Sequence, residues 1–80
     1  MQTLDFALRG DFIPLDSLLK ATGVAPSGAA AKALVAEGRV QVDGRDELRK
    51  TAKIRAGQVV MLQGLRIRVQ ADPQADPGAA

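Results

Sequence analysis

The chain has 80 residues, 46% hydrophobic and 25% charged, with neither Cys nor His. This is one small globular domain that buries only about 60% of the surface its unfolded form exposes. The missing residue types exclude disulfides, thiolate zinc sites, cysteine nucleophiles and the usual imidazole base. No apolar run approaches a membrane span and Met1–Asp5 does not resemble a signal peptide, so a soluble, cytoplasmic binding module without a cofactor is expected.

Leu4-Asp5-Phe6-Ala7-Leu8 alternates apolar residues at every second position and predicts a half-buried strand, followed by a turn at Arg9-Gly10-Asp11. Pro14 suits the opening of a helix, and Leu15, Leu18, Leu19 and Thr22 continue it at helical spacing until Gly23. A second helix is predicted from about Pro26 or Ser27 to Gly38, with Ala31, Leu34 and Val35 as its apolar stripe. A connection of three or four residues is expected between the two helices.

After Gly38 the period changes from 3.6 to 2. Val40 and Val42 point one way, and Asp43-Gly44 is a strong hairpin dipeptide. Short strands follow at 53–55, 59–62 and 65–69, separated by turns at Ala56-Gly57 and Gln63-Gly64. The run from Ala71 to Ala80 is rich in Pro, Ala and Asp and aperiodic, and is expected to be a disordered tail after a single domain over 1–70. The predicted fold class is α+β: a helix-turn-helix packed on a small, mostly antiparallel sheet with a β-hairpin.

The net charge of +2 hides an uneven distribution. From Ser27 to Arg68 nine bases stand against four acids, whereas the flanking segments are slightly acidic. Within this region, Arg45-Asp46-Glu47-Leu48-Arg49-Lys50-Thr51-Ala52-Lys53-Ile54-Arg55 places five basic residues beyond the hairpin turn. Cations held on a folded surface neutralise phosphates and release condensed counterions. Arg45 and Arg49 suit bidentate phosphate contacts, while Lys50 and Lys53 act as point charges. The plainer reading is a solvated edge strand that uses charge against aggregation.

Lys32 lies on the second helix among alanines, where a backbone can approach closely. Ser27 suits the cap of that helix, and the amides there favour an anion. The chain's two aromatic residues, Phe6 and Phe12, both lie outside the basic segment, so base stacking on the positive face is not expected. Backbone and shape recognition of a folded nucleic acid is expected instead. Helix two opens Pro26-Ser27-Gly28-Ala29-Ala30-Ala31, with almost no donors for reading base edges in DNA. Asp43, Asp46 and Glu47 have no His or Cys partner, so no catalytic constellation is found and a non-enzymatic role is expected.

The ordered set Leu15 to Gly23, Ser27, Ala31, Leu34-Val35 and the run Glu37-Gly38-Arg39-Val40-Gln41-Val42-Asp43-Gly44 resembles the S4-like RNA-binding domain, whose helix-turn-helix and β-hairpin form the alpha-L motif. The continuation from Glu47 to Val60 looks like a branch of small stand-alone, ribosome-associated bacterial proteins. That resemblance implies RNA contacts at Arg49, Lys50, Lys53 and Lys32. With the reading above, the candidate RNA-binding residues are Lys32, Arg45, Arg49, Lys50, Lys53 and Arg55, with Ser27 and Arg39 as secondary candidates. The implied partner is structured RNA, ribosomal or ribosome-associated, bound by a monomer. A protein adaptor that meets an acidic partner is the alternative. The chain departs from the pattern at Pro14 and Gly28, where many members carry Arg, and at Gln58, where Asp is usual.

Overall fold

The computed structural model describes residues 2–72. The elements are β1 (Gln2–Leu8), β2 (Ile13–Pro14), α1 (Leu15–Ala21), α2 (Gly28–Ala36), β3 (Gln41–Val42), β4 (Arg45–Asp46), β5 (Lys53–Ile54), β6 (Val59–Leu62) and β7 (Leu65–Ala71). Five strands form one sheet in the order β1-β7-β6-β3-β4, while β2 and β5 form a separate antiparallel pair. Pairing in the larger sheet is antiparallel except between β1 and β7, which run parallel over seven residue pairs from Gln2↔Leu65 to Leu8↔Ala71. The predicted α+β class with a mostly antiparallel sheet is therefore observed. Among the described residues no helix is long and apolar enough to cross a membrane.

Helix α1 buries Leu15, Leu18 and Leu19, and α2 buries Ala31 and Val35. These residues join Val60, Leu62, Ile67 and Val69 of the sheet in a single core cluster that contains no buried polar or charged side chain. Each large aliphatic residue removed from water contributes roughly 1.5–3 kcal/mol, which is substantial for so small a domain. The helices are joined by six residues, 22–27, rather than three or four. The extra length comes from the closing turn of α1, where Gly23 adopts φ +79 and the amide of Ala25 reaches back to the carbonyl of Leu19. Helix α2 starts at Gly28 because Ser27 caps it, its side chain accepting from the amide of Ala30. It ends at Gly38 (φ +74), where the amides of Gly38 and Arg39 donate to the carbonyls of Val35 and Leu34 in a Schellman arrangement.

Ala71 and Asp72, expected to belong to the tail, are instead part of the folded structure. Ala71 closes β7 opposite Leu8, the amide of Asp72 donates to the carbonyl of Leu8, and its carboxylate meets Arg9 at 3.0 Å. Both residues are held by the parallel pairing, which periodicity within one strand cannot reveal. The rest of that expectation, 73–80, lies outside the described residues.

Asp43 and Gly44 both take positive φ, +52 and +82, as a two-residue type I′ hairpin requires. Asp43 also pins this turn to β6. Its carboxylate accepts from the amide of Val59 (3.0 Å) and from the side-chain amide of Gln58 (3.2 Å). Gln58 in turn accepts from the amide of Arg55 at 2.7 Å. The Gln58 amide can bridge these groups because it both donates and accepts, whereas a carboxylate there would face that of Asp43. Asp43→Ala is expected to lower stability by about 1–2 kcal/mol, through the lost acceptor and the strained positive φ, and Asp43→Asn by less. A shift of the urea midpoint at unchanged slope is the measurement.

Candidate nucleic-acid interface

Helix α1 begins with Pro14 at its N-cap and has no side-chain cap. Its first amides are satisfied from elsewhere in the chain. The amide of Leu15 donates to the carbonyl of Ala52 (2.9 Å) and that of Asp16 to the carbonyl of Lys50 (3.0 Å). The segment between β4 and β5 is thus lashed to the start of α1 by its own backbone. A further turn, from the amide of Ala52 to the carbonyl of Arg49, tightens it. Inward carbonyls leave Arg49, Lys50, Thr51 and Lys53 exposed on the outside, while Ala52 and Ile54 enter the core.

Between this segment and α2 lies an open concavity of about 850 Å³, walled by Lys32 on one side and residues 48–53 on the other. Four of the sequence-derived candidates therefore converge: Lys32, Arg49, Lys50 and Lys53. Among the described residues, no acidic side chain lines the wall. Leu48 adds an apolar patch, 62% exposed, with its Cδ2 where a side chain at Gly38 would project. Among the described residues, Lys32 and Lys50 form no ion pair.

Arg49 is partly engaged. Its Nε lies 3.2 Å from Glu47 Oε2, which also accepts from the Arg49 backbone amide at 3.0 Å. The Arg49 guanidinium, helped by that amide, holds the Glu47 carboxyl below the usual carboxylate range, while Glu47 raises the Arg49 pKa further. A depressed carboxyl pKa favours the ionised pair at neutral pH, and this contribution is lost only as the pH falls through the lowered value. The Arg49 side chain is nonetheless 81% exposed, so its outer face can meet a ligand.

Lys53 and Arg55 flank the buried Ile54 and point to the opposite side of β5, where both meet the ring of Phe12. Lys53 Nζ lies 5.1 Å from the ring centroid and the Arg55 guanidinium carbon 5.9 Å. This corrects the expectation that the positive face lacks an aromatic residue. The β2–β5 pairing, Ile13↔Ile54 and Pro14↔Lys53, carries Phe12 to the basic segment from about forty residues away in the chain.

The remaining candidates lie apart from this wall. Arg45 is exposed on β4, opposite Val42. Arg39 is paired with Glu37 at 2.8 Å and borders a separate, smaller concavity formed with the β6–β7 turn. Ser27 is occupied as the cap of α2. Phe12, Leu48 and Thr51 were not anticipated. For Leu48, one apolar residue inside a charged run was the available signal. Phe12 offered none without knowledge of the strand pairing.

Residues 6–70 match the family model described as "S4 domain". The chain is 49% identical over 59 residues to "Putative RNA-binding protein YbcJ" of Escherichia coli (strain K12), covering 74% of this chain and 84% of that protein. The same identity and coverage hold for "Uncharacterized protein YbcJ" of Shigella flexneri. Among solved structures, it is similar to the solution structure of YbcJ from E. coli, described as revealing an alpha-L motif involved in RNA-binding. The TM-score is 0.65 and the identity 44%, over 89% of both chains. With its helix-turn-helix, its hairpin and a family match spanning most of its length, this chain belongs to the S4 domain family.

Proposed function

We propose that the chain is a non-catalytic, monomeric RNA-binding protein of the cytoplasm that docks on structured RNA, ribosomal or ribosome-associated. The observation that carries this reading is the convergence of Lys32, Arg49, Lys50 and Lys53 around one concavity whose wall has no acidic side chain among the described residues. A phosphate backbone lying between α2 and the 48–53 segment meets cations on both sides. The family and the name and description of the E. coli relative support the same ligand class. Cations carried on a hydrogen-bonded backbone suit a folded RNA backbone, whose phosphates keep fixed positions. Arg45 and Arg39 would contribute only at the margins of such a complex, and Ser27 through the cap of α2.

Neutralising three to five phosphates gives a log–log salt dependence with a slope of roughly −2 to −5. Replacing Arg49 and Lys50 together by Ala should lower the affinity for a folded RNA and flatten that slope by about 2, with an unchanged thermal transition. Fluorescence anisotropy across a salt series is the measurement, and a salt-independent affinity would contradict the proposal. An acidic protein partner for the concavity, favoured by exposed Leu48, would instead survive nuclease treatment in a pull-down.

Glu47 competes with RNA for Arg49. Glu47→Gln keeps an acceptor for the Arg49 amide but removes the negative charge beside the concavity. It should tighten binding by about 2- to 5-fold at low salt, with the gain shrinking as salt rises.

A further inference from the structure

Phe12 is 40% exposed, whereas the chain's other aromatic residue, Phe6, packs half-buried against the core. A phenyl ring left two-fifths exposed on so small a domain gives up part of the hydrophobic stabilisation available to it. Its placement follows from strand alternation. Ile13 faces the core, so Phe12 turns outward, to the same side of the β2–β5 pair as Lys53 and Arg55. Lys53 belongs both to this cluster and to the wall of the concavity. The ring therefore stands at the edge of the cationic surface, with two positive charges beside it.

This combination fits one nucleotide. A nucleobase stacks on the face of an aromatic ring regardless of its identity, while the adjoining phosphates meet neighbouring cations. Exposed cation–π contacts are weak enough for Lys53 and Arg55 to move from the ring towards phosphate oxygens as a base arrives. Bases inside an A-form helix are stacked on one another and cannot reach a side chain, whereas those in bulges and junctions can. We propose that Phe12 is the stacking platform for a single unpaired nucleobase of the RNA whose backbone occupies the Lys32–Lys53 concavity. The inference rests on the RNA-binding reading above and deepens it: the preferred target is a helix interrupted by an unpaired nucleotide, not a continuous duplex.

Three RNAs separate the outcomes: a stem–loop with a one-nucleotide bulge, the same stem–loop with an abasic residue at the bulge, and the uninterrupted stem–loop. Wild-type protein should bind the bulged RNA about 5- to 150-fold more tightly than the abasic one, the range expected for one base–aromatic stack. Phe12→Leu should erase that preference while leaving the uninterrupted stem, the salt slope and the melting temperature unchanged, and Phe12→Trp should keep the preference. Wild-type indifference to the bulged base would overturn the proposal yet leave RNA binding intact. Equal weakening of all three RNAs by Phe12→Leu would also overturn it, because Phe12 would then serve only to orient Lys53 and Arg55. Failure of wild-type protein to bind any of the three would remove both this inference and the reading beneath it.

Discussion

Two backbone hydrogen bonds, from the amides of Leu15 and Asp16 to the carbonyls of Ala52 and Lys50, organise the cationic surface. Proline at the cap position offers α1 no side-chain cap, so the amides of Leu15 and Asp16 need partners from elsewhere. The 47–52 segment supplies them. In doing so it gives up conformational freedom and turns Leu48, Arg49, Lys50 and Thr51 outward. A loop rich in Arg and Lys would otherwise sample many arrangements, and ordering it on RNA would cost binding free energy. Here that ordering is provided by the helix, through bonds the helix itself requires.

The same bonds set most of the basic run apart from a solvated edge strand, a character kept by β4 at the end of the five-stranded sheet. Its strand portions, β4 and β5, are two residues each, already too short to template another chain. The residues between them form a lashed loop, and its cations meet Lys32 from α2 across open space. Charge is also managed locally. Glu37, Glu47 and Asp5 pair with Arg39, Arg49 and Arg68, each on a different part of the surface, whereas Lys32 and Lys50 form no ion pair among the described residues. Four of the nine bases of the middle region thus line one concavity.

Stability in so small a domain depends on joining distant parts of the chain. β1 and β7 pair in parallel along their whole lengths, so the first described strand is stapled to the last. Asp5 and Arg68, directly opposite each other in that pairing, are bridged at 2.8 Å on the solvent side. The small β2–β5 pair makes a second long-range closure and anchors the basic loop to the helical half. Asp43 and Gln58 complete the frame by connecting the hairpin turn to β6 and to the amide of Arg55. Thus hydrogen bonds join the hairpin, the basic segment and α1 into one frame.

By itself the sequence determined what depends on neighbours a few residues apart. The leucine spacing of α1, the Ser27 cap and Gly38 stop of α2, the Asp43-Gly44 turn and the alternation of β7 were all legible, because periodicity and turn chemistry are local. So was the concentration of cations, and the ordered motifs carried the family resemblance. Only the tertiary structure decided which cations share a surface: it gathered Lys32, Arg49, Lys50 and Lys53 and left Arg39 and Arg45 outside their concavity. It also carried β7 through Ala71 and brought Phe12 beside Lys53 and Arg55. Strand partners, register and the carbonyls that cap α1 are chosen by the free energy of contacts between distant segments, and no local pattern in the chain encodes that choice.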